Sequence, residues 1–204
     1  MLRFLCALAL ASSARADCPT QAVTVDPALA TSRDVAVLGE DFGETFVARD
    51  SFLVRVTLWQ PAGTDSVPVP ITLLIYDTDA DGRPMHSPLF VGPTVTIPQG
   101  NSAGPVAVTF DLLPALRLPH LGSIQAAFRA PCGDRLWLLQ CGSDPFPDGS
   151  FQWNRGAWCP PWSQVSAYPT VDLAFSAELC DHDPSTTTPA ARTSWGQLRA
   201  IYRR

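Results

Sequence analysis

Lysine is absent from this chain of 204 residues, so its fourteen basic residues are all arginines. The arginines are scattered along the sequence, and the net charge is −5. Because nucleic-acid backbones are bound by clustered cations that release counterions, this distribution argues against a nucleic-acid partner. The abundance of arginine, alanine and proline is the bias expected of a GC-rich bacterial genome.

Long hydrophobic runs are also lacking. The apolar run at residues 4–11 follows Arg3 and precedes small residues, and it is shorter than the roughly 20 residues that a membrane-spanning helix needs. This order is typical of a cleaved export signal. We therefore predict that residues 1–16 are a signal peptide and that the mature protein is secreted, either extracellular or periplasmic, with no membrane span.

Motifs of common enzymes are missing as well. The sequence has no Gly-x-Ser-x-Gly, His-Glu-x-x-His or Cys-x-x-Cys motif. His86, His120 and His182 are far apart, which favours surface positions over metal ligation. A glycoside hydrolase is expected only if carboxylates on different strands, such as Glu44 and Asp172, face one cleft.

Five cysteines follow the predicted signal, and an oxidising compartment would pair four of them. We prefer a local pair, Cys132 with Cys141, and a long-range pair, Cys18 with Cys180. Cys159 is then unpaired. The rival pairing of Cys141 with Cys159 stays open, because sequence does not determine connectivity.

Apolar and polar residues alternate in short segments separated by Pro, Gly, Asp and Asn, a pattern typical of half-buried strands. In residues 52–59 the parity that includes Phe52 and Val56 is predicted to face the core. In residues 171–178 the parity of Leu173 is predicted to face inward and that of Asp172 outward. We place the remaining strands at residues 44–48, 71–76, 89–97, 105–110, 123–129 and 135–140.

Eight or so strands without intervening amphipathic helices predict an all-β fold, an antiparallel jelly-roll-like β-sandwich over residues 17–180. Pro93 and Pro105 should lie at edges, bends or strand starts, because proline cannot donate to a ladder. Residues 181–193 are predicted to be a flexible linker. Residues 194–204 fit a short amphipathic helix that docks on something or frays.

Asp77, Asp79 and Asp81 alternate and precede Gly82, like the start of an EF-hand calcium loop. The twelfth position is Pro88 instead of glutamate, and a strand precedes the motif. We therefore expect an acidic turn between strands and no cofactor, with a calcium site as the alternative.

Aromatic residues are concentrated in one Pro/Gly-rich stretch, residues 146–168. Rings in loops can stack on sugars, while arginine and asparagine supply hydrogen-bond donors. Covering the open end of the sandwich is the alternative role for these rings. The residues predicted to contact a ligand are Trp153, Asn154, Arg155, Trp158 and Trp162.

The chain resembles bacterial exported β-sandwich domains of the galactose-binding-like and jelly-roll kinds. The resemblance covers residues 38–180 and rests on five segments: Gly43 to Ala48, Phe52 to Trp59, Ile71 to Tyr76, Leu118 to Gly122 and Val171 to Ser176. It implies a sandwich but no single activity, since fold does not establish function.

These observations lead us to predict a secreted, non-catalytic binding module for carbohydrate or a cell-surface partner. The first alternative is a structural envelope or extracellular-matrix component that docks through its C-terminal tail. The second is a glycoside hydrolase.

Overall fold

A computed structural model describes residues 18–37, 41–61, 68–97, 104–130, 135–155 and 164–185. The predicted signal peptide and C-terminal helix lie outside these residues, as does most of the predicted linker. The described strands, in chain order, are β1 Gln21–Thr24, β2 Ser32–Val37, β3 Asp41–Ala48, β4 Phe52–Gln60, β5 Val69–Asp77, β6 Phe90–Ile97, β7 Val106–Arg117, β8 Gly122–Arg129, β9 Arg135–Cys141, β10 Ser150–Arg155, β11 Gln164–Tyr168, β12 Asp172–Leu173 and β13 Phe175–Cys180.

The strands form three antiparallel sheets. A four-stranded sheet has the order β1-β13-β4-β7, a six-stranded sheet has the order β11-β10-β3-β8-β5-β6, and β12-β9-β2 form a third. A 3-10 helix, Pro27–Leu29, lies between β1 and β2, and the described ranges contain no α-helix. The all-β prediction is confirmed; the jelly-roll connectivity stays a prediction.

The core lies between the four-stranded and six-stranded sheets. Phe46 on β3 contacts Phe175 on β13 with ring centroids 6.1 Å apart, and Phe110 on β7 contacts Phe128 on β8 at 5.6 Å. The strands of both sheets contribute to one continuous cluster of buried apolar side chains. This arrangement is that of a β-sandwich, in which alternate residues of each strand fill the interior.

The prediction of which β4 residues face the core is wrong at the start of the strand, because the strand contains a bulge. Val56 is buried as expected, but the buried residue at the start of the strand is Leu53, while Phe52 is half-buried. The pairing of β4 with β7 shifts register between Leu53 and Arg55, so the inward-facing parity changes there.

The last strand also differs from its predicted pattern. Leu173, Phe175 and Ala177 are buried as expected, but Asp172 is buried too. The segment is divided, because β12 pairs with β9 in the three-stranded sheet and β13 pairs with β4. Asp172 therefore faces neighbouring protein instead of solvent.

The prolines lie where the ladder tolerates them. Pro93 is on β6, which is at the edge of the six-stranded sheet, beside a register shift in its pairing with β5. Pro105 directly precedes β7. Both positions agree with the sequence prediction.

Candidate functional site

One end of the six-stranded sheet gathers several strand termini, and we call it the loop end. Asn154, near the end of β10, pairs with Asp41 at the start of β3, which pairs with Arg129 at the end of β8. The last pair of the β10–β11 hairpin is Arg155 with Gln164. The connection between β10 and β11, residues 156–163, therefore leaves and rejoins the sheet at this end.

The predicted ligand-contact residues are distributed around this hairpin. Trp153 is only 7% exposed and packs against Phe42 and Phe151 in the core. Its ring is thus a packing element at the base of the loop end. Asn154 and Arg155 are the last two residues of β10. Trp158 and Trp162 lie outside the described residues, so ligand contact by this set stays a prediction.

A closed polar network, which we call the Asp41 cluster, joins three strands of the six-stranded sheet. Arg129 donates from Nε to Asp41 Oδ1 at 2.6 Å and from a terminal nitrogen to Oδ2 at 2.7 Å. The Tyr76 hydroxyl donates to the same Oδ2 at 2.6 Å. Asp41 is 1% exposed, so its charge is balanced by a two-point arginine contact inside the protein.

Burial raises the pKa of Tyr76, and its hydrogen bond to Asp41 adds to the effect. The phenol therefore remains a donor at neutral pH. The sequence offers no local signal for this cluster, since Tyr76 is 35 residues from Asp41 and 53 from Arg129. Only the register of β3, β8 and β5 brings the three side chains together.

A second polar group, the carboxyl pair Glu44–Asp172, lies inside the sandwich. Both residues are 0% exposed, and their carboxyl groups are close enough for each to affect the pKa of the other. Glu44 Oε2 accepts the Leu173 N–H at 2.8 Å, and Asp172 Oδ2 accepts the Phe146 N–H at 2.8 Å. The other two oxygens, Glu44 Oε1 and Asp172 Oδ1, are buried and accept no hydrogen bond from the N–H and hydroxyl donors of the described residues.

The pKa of both carboxyls is raised. For Glu44, burial raises the pKa well above its ordinary value, the Leu173 N–H opposes this, and Asp172 adds to the rise. For Asp172, burial again raises the pKa, the Phe146 N–H opposes it, and Asp144 adds to it. A neutral carboxylic acid beside an ionised one is the state that such an environment favours.

This geometry does not favour glycoside hydrolysis. The two residues named for that function do meet, but they are in direct contact and shielded from solvent. Glycosidases separate their carboxyl groups by about 5–10 Å so that the sugar, and in inverting enzymes a water, can lie between them. A carboxyl pair that is fully buried is not accessible to a substrate.

In the acidic loop after β5, the carboxylates of Asp77 and Asp79 form hydrogen bonds with neighbouring residues of the protein. Asp79 Oδ1 accepts the backbone N–H groups of Asp81 and Arg83, each at 2.9 Å. Asp77 Oδ1 accepts the Thr78 N–H at 2.8 Å and lies 2.9 Å from His120 Nε2. These contacts fit an acidic turn between strands.

Calcium at Asp77, Asp79 and Asp81 stays a prediction. Within the described ranges, no three His, Cys, Asp or Glu side chains are arranged to hold a metal ion. The hydrogen bond to Asp77 raises the pKa of His120. His120 thus contacts the loop after β5 through Asp77 and helps to hold it in place.

The loop after β5 also covers part of the outer face of the six-stranded sheet. Gln152 on β10 donates from Nε2 to the Gly82 carbonyl at 2.7 Å, across strands β3, β8 and β5. Thr78 donates to the Ser123 carbonyl at 3.0 Å. Gln152 is buried as a result.

The long-range disulfide is confirmed: Cys18 is bonded to Cys180. Cys141 is buried and forms no disulfide with a described residue. Burial raises the pKa of its thiol to about 11, and the charges of Asp172 and Glu44 add to the rise. Cys132 and Cys159 lie outside the described residues, so the local pairing stays a prediction.

No protein-family model, curated protein or solved structure matches this chain. The described residues include no helix with the length and apolar character needed to cross a membrane. Function therefore has to be argued from the residues and the geometry of the sandwich.

Proposed function

We propose that this chain is a secreted, non-catalytic binding module that contacts a carbohydrate or a cell-surface partner at its loop end. The observation that carries the proposal is the register of β10, β3 and β8, by which the β10–β11 connection leaves the sheet at that end. This connection contains Trp158 and Trp162. Indole rings stack on the apolar faces of sugars and also present an N–H donor.

The chemistry of the described residues supports binding over catalysis. The buried carboxylate Asp41 is held by Arg129, and the buried pair Glu44–Asp172 is closed on itself. Catalytic acids and bases must reach a substrate proton, and neither group is open to one. A jelly-roll-like module of the galactose-binding-like kind, which presents loops at one end, is consistent with this assignment.

Secretion is supported by the disulfide Cys18–Cys180, since such bonds persist in oxidising compartments. Residues 1–16 have the pattern of an export signal. Fractionating cells that express the full chain, and determining the N-terminus of the released protein, tests this part of the proposal. A full-length cytoplasmic product contradicts it.

Glycan arrays and affinity electrophoresis on polysaccharides test the binding site directly. We expect Trp158→Ala and Trp162→Ala each to lose about 5- to 150-fold in affinity, because each ring in such a site contributes on the order of 1–3 kcal/mol. The matched controls are Trp59→Phe, which alters a half-buried ring on β4, and Leu113→Ala, which removes an exposed side chain on β7. Unchanged binding in both loop variants contradicts the proposal.

The structural alternative is distinguished by deleting residues 186–204. If the deletion abolishes retention in the cell envelope while both tryptophan variants behave as wild type, the chain is a docking component instead. Circular dichroism of the truncated protein checks that the sandwich still folds.

A further inference from the structure

The Glu44–Asp172 pair connects three parts of the fold. Glu44 is on β3 of the six-stranded sheet, and Asp172 is on β12 of the three-stranded sheet. Through the Phe146 N–H, Asp172 also holds the connection between β9 and β10, residues 142–149. A change at this pair therefore acts on the contact between sheets.

The ionisable groups around the pair are all acidic. Asp144, from the β9–β10 connection, acts on both carboxyls, and the Cys141 thiol on β9 is close enough to be affected by them. Asp26, which precedes the 3-10 helix, acts in turn on that thiol. Among the described groups that act on the pair, none is a cation. Two ionised carboxylates in contact would be uncompensated, as in other buried carboxyl dyads.

We propose that Glu44 and Asp172 share one proton, which Glu44 carries and donates to Asp172 in a hydrogen bond. This hydrogen bond holds β12 and the 142–149 connection against β3. Each carboxyl already uses one oxygen to accept a backbone N–H. The remaining oxygens, Glu44 Oε1 and Asp172 Oδ1, are buried and receive no other donor from the described residues. A single proton between the two carboxyls satisfies both side chains.

The sign of the pH dependence follows from linkage. In the unfolded chain Glu44 ionises near pH 4.3, about its ordinary pKa. In the folded chain burial raises the pKa of Glu44, so above this pH the folded state holds a proton that the unfolded state has lost. The contribution of Glu44 to stability is therefore fully present below about pH 4 and is lost as pH rises through the folded pKa.

Glu44→Gln is the decisive variant. The amide nitrogen of glutamine donates the hydrogen bond that protonated Glu44 would donate, its oxygen accepts the Leu173 N–H, and it does not ionise. We expect urea unfolding to give similar unfolding constants for E44Q and wild type at pH 4. By pH 8 the wild-type constant should exceed that of E44Q by about tenfold or more, since one pH unit between folded and unfolded pKa is worth about tenfold.

The matched control is Asp50→Asn, which removes a carboxylate between β3 and β4 whose hydrogen bond from the Thr20 hydroxyl an asparagine oxygen can also accept. Its unfolding constant should follow that of wild type across the same pH range. If E44Q fails to fold, Asp172→Asn supplies the second variant, because asparagine can donate to Glu44; its pH dependence should be shallower than that of wild type. Infrared spectra at pH 5, above the ordinary pKa of a glutamate, should also show a protonated carboxyl in wild type that E44Q lacks.

Two results overturn the inference. The first is a pH profile of E44Q parallel to that of wild type, with no protonated carboxyl at pH 5. The second is a rise in the Tm of wild type, but not of E44Q, on adding millimolar calcium after EDTA treatment. That outcome means that a divalent cation, rather than a proton, balances the pair.

Discussion

Removal of the guanidinium from the Asp41 cluster should be among the most damaging single substitutions in the described chain. Arg129→Met keeps the length and apolar stem of the side chain but leaves Asp41, which is 1% exposed, without its two arginine hydrogen bonds. Breaking a buried ion pair in this way costs about 3–5 kcal/mol. For a domain of this size each kcal/mol lowers Tm by about 2–4 °C, so we expect a fall of about 6–20 °C.

Two further variants show whether the burial of Asp41 causes the loss of stability. Tyr76→Phe removes only the hydroxyl that donates to Asp41 at 2.6 Å, and hydrogen bonds to charged groups contribute about 1.5–3 kcal/mol. The control is Arg55→Met. Arg55 contacts Asp111 and Glu178 at 2.8 and 3.4 Å, but its side chain is 28% exposed. Ion pairs in such exposed positions contribute about 0–1 kcal/mol.

Urea unfolding at pH 7, followed by tryptophan fluorescence, measures these differences. A double-mutant cycle with Asp41→Asn then isolates the coupling between Asp41 and Arg129. The reasoning is refuted if R129M costs no more than R55M, or if the coupling is below about 0.5 kcal/mol, the level at which independent sites are simply additive.

The remaining predictions concern packing and cysteine chemistry. Gly43→Ala should cost about 1–3 kcal/mol in urea unfolding, because a Cβ there collides with the backbone of β8, whereas Gly104→Ala has open space and should be tolerated. Reduction of the bond between Cys18 and Cys180, which are 162 residues apart, should lower the free energy of unfolding by about 5 kcal/mol in the chain-entropy model; a loss under 1 kcal/mol contradicts this. Mass spectrometry should find Cys141 unmodified by iodoacetamide at pH 7.5 in the folded protein and alkylated after reduction in urea, since burial raises its pKa to about 11; rapid labelling of the folded protein refutes this.

Strand positions were predictable because alternation reports which faces are buried. The predicted segments 71–76 and 123–129 lie within β5 and β8, and the alternate apolar residues that begin at Ile71 and at Ile124 fill the core. The sequence does not predict strands β10 and β11, because their region is rich in proline, glycine and aromatic residues, a composition that favours loops. Alternation also cannot locate a bulge, which is why the inward residue at the start of β4 is Leu53 and not Phe52.

The polar groups were predictable only in part. Glu44 and Asp172 were named from their residue type, as carboxylates on different strands, but the change of sheet at β12 that buries Asp172 has no signature in the local pattern. The Asp41 cluster was not foreseen. Its members are ordinary polar residues on three strands. They meet only because of the register in which β3 and β5 pair with β8.

The charges of the two buried polar groups are balanced by different means. In the Asp41 cluster the balance comes from an arginine, and in the Glu44–Asp172 pair it comes from a proton. At Asp41 the counter-charge comes from Arg129, whose guanidinium does not lose its proton in proteins. The balance at Glu44–Asp172 depends on a proton that solution can supply or withdraw. Acidity therefore acts on the contact among β3, β12 and the 142–149 connection, which enters β10 at Ser150, the end of that strand opposite to the loop end.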